Sequence, residues 1–363
     1  MNSFRGLGIK IFEKQKYSAS DRFFTNQKVF EASTKGFTKD GIFALQEIED
    51  AIVPNLKRFW NEHNYKVIVT RYNPDKMSLS FVFAYDPAVY DAEELPQVYL
   101  TKNGLPWQAE LGKESEITQE RIEHNLGNDH TRSSQMIQLT HKGTGKTVVI
   151  SSNHFALLNN HKLMAAEKLC NELEKIKYPL IVLGDFNQFD KTKVNELFPE
   201  QIDIFKKYGF CWESEELSTK TPGATFLPYP YDILFLLPEA KRNAYKNLLD
   251  ELTRAEKGLG DYDVNSCRES IRMFFLGEIK TLNEEGKSLL DVAYDAVFTK
   301  NMPPVQNKSQ VTKTKVLFFE QGQRVKPCPS REEINRRATK LYCEDAEAPY
   351  SSDHFPVKMS VHI

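Results

Sequence analysis

Apolar residues along this chain fall into short runs that stop on polar side chains, with helical rhythms between them. Residues 40–47, Asp-Gly-Ile-Phe-Ala-Leu-Gln-Glu, read as a strand ending on Gln46 and Glu47. Residues 66–70 and 79–85, rich in Val and Phe, predict neighbouring strands. Residues 135–140 and 146–152 flank His141-Lys-Gly-Thr-Gly and predict a hairpin whose second strand ends at Asn153 and His154. The run Pro179-Leu-Ile-Val-Leu-Gly184 has the length and composition of a strand buried on both faces. It stops on Gly184 and then presents Asp185, Phe186 and Asn187. Side chains alternate along a strand, so Asp185 and Asn187 should face one way and Phe186 the other. Residues 290–299 and 311–319 are further strand candidates, and 357–363 closes the chain as an alternating strand.

Helical spacing appears at 20–35, opened by Ser20, at 49–63, and at 159–177, where Leu163, Ala166, Leu169, Leu173 and Ile176 recur on one face. Ser330 and Glu333 have capping-box spacing and predict a helix over 331–343. Residues 86–130, polar and carrying Pro87, Pro96 and Pro106, predict a loop-rich excursion. Over 228–290 the pattern changes to two long charged helices, 238–257 and 266–290, separated by Gly258-Leu-Gly-Asp. They interrupt the strand series and read as an insertion. Alternating strands and helices with hairpins predict a layered α/β sandwich.

A chain of 363 residues can bury one large core, so 1–363 is read as a single domain that includes the 228–290 insertion. With 48 basic and 50 acidic residues the formal net charge is −2, which gives no bulk attraction to nucleic acid. Five scattered cysteines without CxxC spacing argue for reduced thiols, and against a zinc site or a disulfide framework. No apolar run reaches the length of a transmembrane segment, and Met1-Asn-Ser-Phe-Arg-Gly lacks the apolar stretch of a secretory signal. The expectation is a soluble protein of a reducing, cytoplasmic compartment, with export by a route other than a signal peptide left open.

What changes the picture is that polar side chains recur at strand ends: Glu47, His154, Asp185, Asn187, Asp295, Asp353 and His354. A layered sheet brings such ends onto one rim. By itself Asp185-Phe-Asn187 reads equally well as the start of a turn. Together the set has the inventory that hydrolysis of a phosphate ester needs. Hard carboxylate oxygens suit Mg²⁺ or Mn²⁺, a basic group can take a proton from water, and cationic or hydrogen-bonding groups can stabilise the pentavalent phosphorus.

At this point the sequence resembles the endonuclease/exonuclease/phosphatase (DNase I-like) superfamily of metal-dependent phosphoesterases. The matching pieces are Leu45-Gln-Glu47, Asn153-His154, Gly184-Asp185-Phe-Asn187, Tyr294-Asp295-Ala-Val-Phe and Ser352-Asp353-His354-Phe-Pro-Val, in the family's order across most of the chain. The pairing of Gly-Asp-Phe-Asn with a downstream Ser-Asp-His is the specific part. The resemblance implies a four-layer α/β sandwich, two packed mixed β-sheets flanked by helices, with Mg²⁺ (or Mn²⁺) as cofactor. It implies that Glu47 and Asp353 serve the metal, that Asp185 positions or deprotonates the attacking water, and that Asn187 holds the scissile phosphate. His154 would bind phosphate or stabilise the transition state, and His354 would contact phosphate, oriented by Asp295. Arg132 sits where several relatives place a phosphate-binding Arg.

Three departures stand out. The family's first metal-site Asn has only Asn2 as a fitting counterpart; if Asn2 is that residue, almost all of the strand that normally leads into it is missing here. Asn153 stands where the family usually has Thr. Asp232, in Tyr229-Pro-Tyr-Asp-Ile-Leu-Phe, competes with Asp295 for the role of orienting His354, and Asp295 is favoured because its segment leads more naturally to the last motif. The inositol-phosphatase signature is not found around Asp295, nor is the aromatic patch of abasic-site nucleases. Basic stretches at 308–315 and 324–326 could follow a nucleic-acid backbone or an anionic lipid headgroup, or be a solvated face. The expected activity is a phosphodiesterase on nucleic acid, a nuclease. A phosphoinositide or phospholipid phosphatase is the alternative, and a catalytically silent binding module is a second one.

Overall fold

The structure is a computed structural model that describes residues 41–50, 52–72, 79–102, 105–106, 132–156, 159–188, 199–214, 237–284, 295–302, 315–316, 319–320, 323–324 and 357–359. Its centre is two β-sheets packed face to face. The smaller has order β1-β3-β2, all antiparallel, from β1 (Phe43–Glu49), β2 (Lys66–Arg71) and β3 (Leu79–Tyr85). The larger has order β5-β4-β6-β7-β8-β10-β9. It is built from β4 (Tyr90–Lys102), β5 (Leu105–Pro106), β6 (Arg132–His141), β7 (Thr147–His154), β8 (Leu180–Asp185), β9 (Cys211–Trp212) and β10 (Asp295–Lys300). Its β7 and β8 run parallel and the remaining pairs are antiparallel, so this sheet is mixed.

Period-two alternation decides the layers. In β3, Val82 and Ala84 pack with Leu56, Phe59 and Trp60 of helix α1 (Val53–Glu62), while Phe83 and Tyr85 face the other sheet. In the larger sheet Ile150, Ile181 and Val297 meet Phe83 and Tyr85. Their neighbours Val149, Val182 and Phe298 face helices α2 (Asn159–Leu173) and α3 (Pro199–Lys207) instead. Helix, sheet, sheet and helix therefore form the four layers expected. Both faces of β3, β7, β8 and β10 are covered, which is why their sequences read as nearly continuous apolar runs. Each fully buried Phe or Val of these strands contributes about 1.5–3 kcal/mol relative to exposure.

Two sequence expectations are corrected. Residues 86–130 are not wholly a loop, because β4 is a thirteen-residue strand paired along β6. It hides in the sequence because acidic residues alternate through it and Pro96 breaks the apolar run. The register shifts between Leu95 and Val98, which accommodates a proline that cannot donate to the ladder. Of the strand expected at 290–299, residues 290–294 lie outside the described residues and Asp295–Thr299 fall in β10. The 228–290 region does hold two helices, α4 (Glu239–Glu256) and α5 (Val264–Glu284), which pack on each other through Tyr245 and Phe274. Gly258 and Gly260, both at positive φ, turn the chain between them. The helix α5 starts before Ser266, because the Asp263 carboxylate accepts from the Ser266 amide and hydroxyl. Those bonds hold the Asp263 carboxyl below its ordinary range.

Among the described residues Cys170, Cys211 and Cys267 are free thiols. Burial pushes the Cys170 thiol up to about 12. No described helix is long and apolar enough to cross a membrane. The predicted helices at 20–35 and 331–343 lie outside the described residues.

Candidate active site

The site is assembled at one end of the sheet pair, where β1 of the small sheet meets the ends of β6, β7, β8 and β10 of the large one. Parallel pairing of β7 with β8 sets His154 beside Asp185. Antiparallel pairing of β8 with β10 sets Asp295 opposite Asp185. Arg132 is the first residue of β6. The small sheet supplies Glu47, and Gln46 beside it donates to Ser152 Oγ across the sheet interface at 2.8 Å.

Glu47 reaches the site through an irregularity. The β1–β3 register shifts between Leu45 and Ile48, and Glu47 has φ of 56°. A left-handed conformation at a residue with a Cβ costs about 1–3 kcal/mol and persists only where surroundings hold it. Here the Glu47 amide donates to the Tyr72 hydroxyl at 2.7 Å. The Glu47 carboxylate is largely buried, with 15% of the side chain exposed. Its Oε1 lies 3.4 Å from His154 Nε2 and 3.8 Å from the Arg132 guanidinium.

His154 is the hub. Its side chain is 2% exposed, and Nε2 faces Asp185 Oδ2 at 3.5 Å as well as Glu47. On the other side of the ring, Nδ1 lies 2.9 Å from the Arg132 guanidinium and 3.1 Å from the Tyr72 hydroxyl. Arginine can only donate. Nδ1 is therefore the acceptor, and the ring proton sits on Nε2, directed at the two carboxylates. Tyr72 is buried edge-on to the His154 ring. Its hydroxyl pKa is pushed well above the usual value, chiefly by burial and then by the nearby Glu47 charge, so it stays a neutral O–H.

Asp185 divides its two oxygens. Oδ1 accepts from the Asn187 amide at 2.9 Å, and Oδ2 faces His154. The turn reading of Asp185-Phe-Asn187 is seen directly: an Asx turn fixes the carboxylate at the strand end. Asn187 has φ of 48°, tolerated by Asn better than by most residues, and its side-chain amide donates to the Phe155 carbonyl at 2.9 Å. Phe186 points away into the core as expected, stacked on Phe155 with ring centroids 4.8 Å apart.

Asn153 also has a physical account. Its amide donates to the carbonyls of Ser151 and Leu183 at 3.0 and 2.9 Å, tying β7 to β8 just before the site. At this crossing the strands come too close for any side chain on Gly184. A Cβ there would lie 2.2 Å from the Asn153 carbonyl oxygen.

The structure therefore brings together Glu47, Arg132, His154, Asp185, Asn187 and Asp295. Asn2, Asp353, His354 and the competing Asp232 lie outside the described residues. Sequence reasoning missed Tyr72. A single Tyr after a strand carries no motif, and only the pairing of β2 with β3 brings it beneath Glu47.

Among the described residues no group of three or more His, Cys, Asp or Glu is arranged to hold a metal by itself. The chemistry of the donors nevertheless suits a hard divalent cation. Glu47, Asp185 and Asp295 set against Arg132 leave a formal charge of two negatives on the described part of the site. Mg²⁺ commonly uses one or two protein carboxylates and keeps waters for its other positions.

No protein-family model matches the chain, and no curated protein matches it by sequence. Solved structures resemble it at low identity. A mannosyl-6-phosphatase from Bacteroides thetaiotaomicron is 15% identical, with 97% of each chain covered and a TM-score of 0.48. An endonuclease/exonuclease/phosphatase from Bacteroides vulgatus is 12% identical, covering 94% of this chain and 91% of that one, with a TM-score of 0.48. The human Nocturnin catalytic domain is 16% identical over 55% of this chain and 67% of its own, with a TM-score of 0.39.

Proposed function

We propose that this chain is a phosphoesterase of the endonuclease/exonuclease/phosphatase superfamily, using Mg²⁺ or Mn²⁺ and water to cleave a phosphodiester, with nucleic acid as its substrate. The observation that carries the proposal is the convergence of Glu47 and Asp185, from two different sheets, on Nε2 of a buried His154 whose other nitrogen is capped by Arg132. Two carboxylates around a donor imidazole are expensive to bury unless the charge serves something.

Glu47, with Asp353 and Asn2, would hold the metal, which when bound supplies Lewis-acid polarisation of a phosphate oxygen. Asp185 Oδ2 is the carboxylate oxygen not committed to the Asn187 amide, and it positions or deprotonates the attacking water. The Asn187 amide has two hydrogens; one is bonded to the Phe155 carbonyl and the second serves a phosphate oxygen. His154, with its proton on Nε2, acts as a donor to the charge that develops on the phosphate and not as the base. This assigns Arg132 a different part from direct phosphate binding alone, since its guanidinium caps His154 Nδ1. His354, oriented by Asp295, would provide the second imidazole.

The sequence motifs favour a general phosphodiesterase over an inositol phosphatase, because the signature of the latter is missing around Asp295. Purified protein assayed with Mg²⁺ on single- and double-stranded DNA, RNA, phosphoinositide vesicles and a sugar monophosphate decides the substrate. Cleavage of nucleic acid, lost in EDTA and restored by Mn²⁺, is the expected result. Phosphate release from lipid or sugar alone would refute the nuclease assignment while keeping the phosphoesterase. Full activity in EDTA would refute the metal.

A further inference from the structure

Tyr72 occupies a position that neither the motif series nor the proposed chemistry uses. Its hydroxyl accepts from the Glu47 amide at 2.7 Å and lies 3.1 Å from His154 Nδ1. Having accepted from Glu47, it has its own hydrogen to give, and the acceptor within reach is Nδ1. Two hydrogen bonds then run in one direction, Glu47 amide to Tyr72 oxygen and Tyr72 hydroxyl to Nδ1, while Nε2 on the far side of the ring faces Glu47 Oε1 as an ion-pair contact at 3.4 Å. Arg132 adds a second donor to the same Nδ1. The loop closes on a residue whose backbone is left-handed inside a strand irregularity, where something must hold it. The Tyr72 ring is itself fixed, buried against Phe81 with centroids 4.3 Å apart.

We infer that Tyr72 is a positioning residue of this site: its hydroxyl holds Glu47 in its left-handed conformation and, with Arg132, fixes His154 as the Nε2–H tautomer. It touches neither water nor phosphate; it sets the direction of two groups that do. Its kinetic consequence rests on the phosphoesterase proposal, whereas the tautomer does not.

The test uses the full chain and Tyr72→Phe, which deletes one oxygen and keeps the ring on Phe81. In ¹⁵N-histidine-labelled protein the His154 ring, identified by its loss in His154→Gln, should show an unprotonated Nδ1 and a protonated Nε2. In Tyr72→Phe the Arg132 guanidinium still donates to Nδ1, so the tautomer should persist while the Nδ1 resonance moves with the loss of the tyrosine donor. Mn²⁺ affinity, read by electron paramagnetic resonance with the ion alone, should weaken, because groups behind the ligands typically carry about 10–100-fold in affinity or activity. With bis(p-nitrophenyl) phosphate kcat should fall by a factor in that range while KM changes little, the pattern of a group that acts only through others. A wild-type ring protonated on Nδ1 overturns the inference outright, and that measurement needs no variant to fold. A Tyr72→Phe protein with the same Nδ1 resonance, Mn²⁺ affinity and kcat overturns it as well. Should the wild type cleave no phosphate ester, the functional proposal fails, and the imidazole spectrum still decides the role of Tyr72.

Discussion

Asp185→Ala should lower kcat on a phosphodiester by about a thousandfold or more, the scale seen when a pre-set charge-handling group is removed from an active site. One oxygen of this carboxylate fixes the Asn187 amide and the other faces Nε2 of His154. Alanine removes both functions. Asp185→Asn separates them, because the amide oxygen can still accept from Asn187 while the negative charge is gone. Both variants should be inactive, and Asp185→Asn should keep the thermal midpoint of the parent. The measurement is kcat alongside circular dichroism. If both variants retain the parent's turnover, catalysis does not happen at this carboxylate; a parent with no turnover at all would make the silent binding module the better account of the fold.

The second large effect falls one residue earlier, on stability. Gly184 has φ of 130°, and a Cβ built on it would come within 2.2 Å of the Asn153 carbonyl oxygen and 2.8 Å of its nitrogen. Both contacts are to backbone, which cannot rotate aside as a side-chain tip would. Gly184→Ala therefore has to push β7 from β8 at the point where Asn153 bridges to Leu183. A loss of more than about 4 kcal/mol is expected, placing it in the tail reserved for named structural faults. Urea unfolding of Gly184→Ala against the parent reads it directly. A midpoint equal to the parent's would mean that β7 and β8 are not as close as described. The motif Gly-Asp-Phe-Asn thus sets a glycine required by packing beside the aspartate to which the proposal gives the chemistry.

Strands covered on both faces were legible in the sequence, because an uninterrupted apolar run such as Leu180-Ile-Val-Leu183 has few other uses. The polar strand ends were legible for the same reason: a carboxylate that terminates such a run is conspicuous. β4 was not, since its acidic residues and Pro96 mimic a loop. Its place was decided by pairing with β6, a contact some forty residues away that no local pattern encodes. The site divides in the same way. Glu47, His154, Asp185 and Asn187 are found from motifs, but the function of Arg132 depends on which way its guanidinium turns, and that is fixed by Nδ1 of His154. Tyr72 and the bridging amide of Asn153 are relations between strands. A relation has no residue type by which a sequence can announce it.

The assembly of this site from two sheets has a consequence for how the protein should fail. Glu47 rides on the three-stranded sheet, while Arg132, His154 and Asp185 ride on the seven-stranded one. Among the described side-chain hydrogen bonds, Gln46 to Ser152 and Tyr72 to His154 tie the two sheets together next to the site. A slip of a single ångström between the sheets would leave every helix and nearly every ladder bond intact and yet part the carboxylate from the imidazole. Sub-global loosening of this kind requires less free energy than global unfolding. On heating, the turnover proposed for this site should therefore fall several degrees before the far-ultraviolet circular dichroism does, making activity a gauge of interlayer alignment.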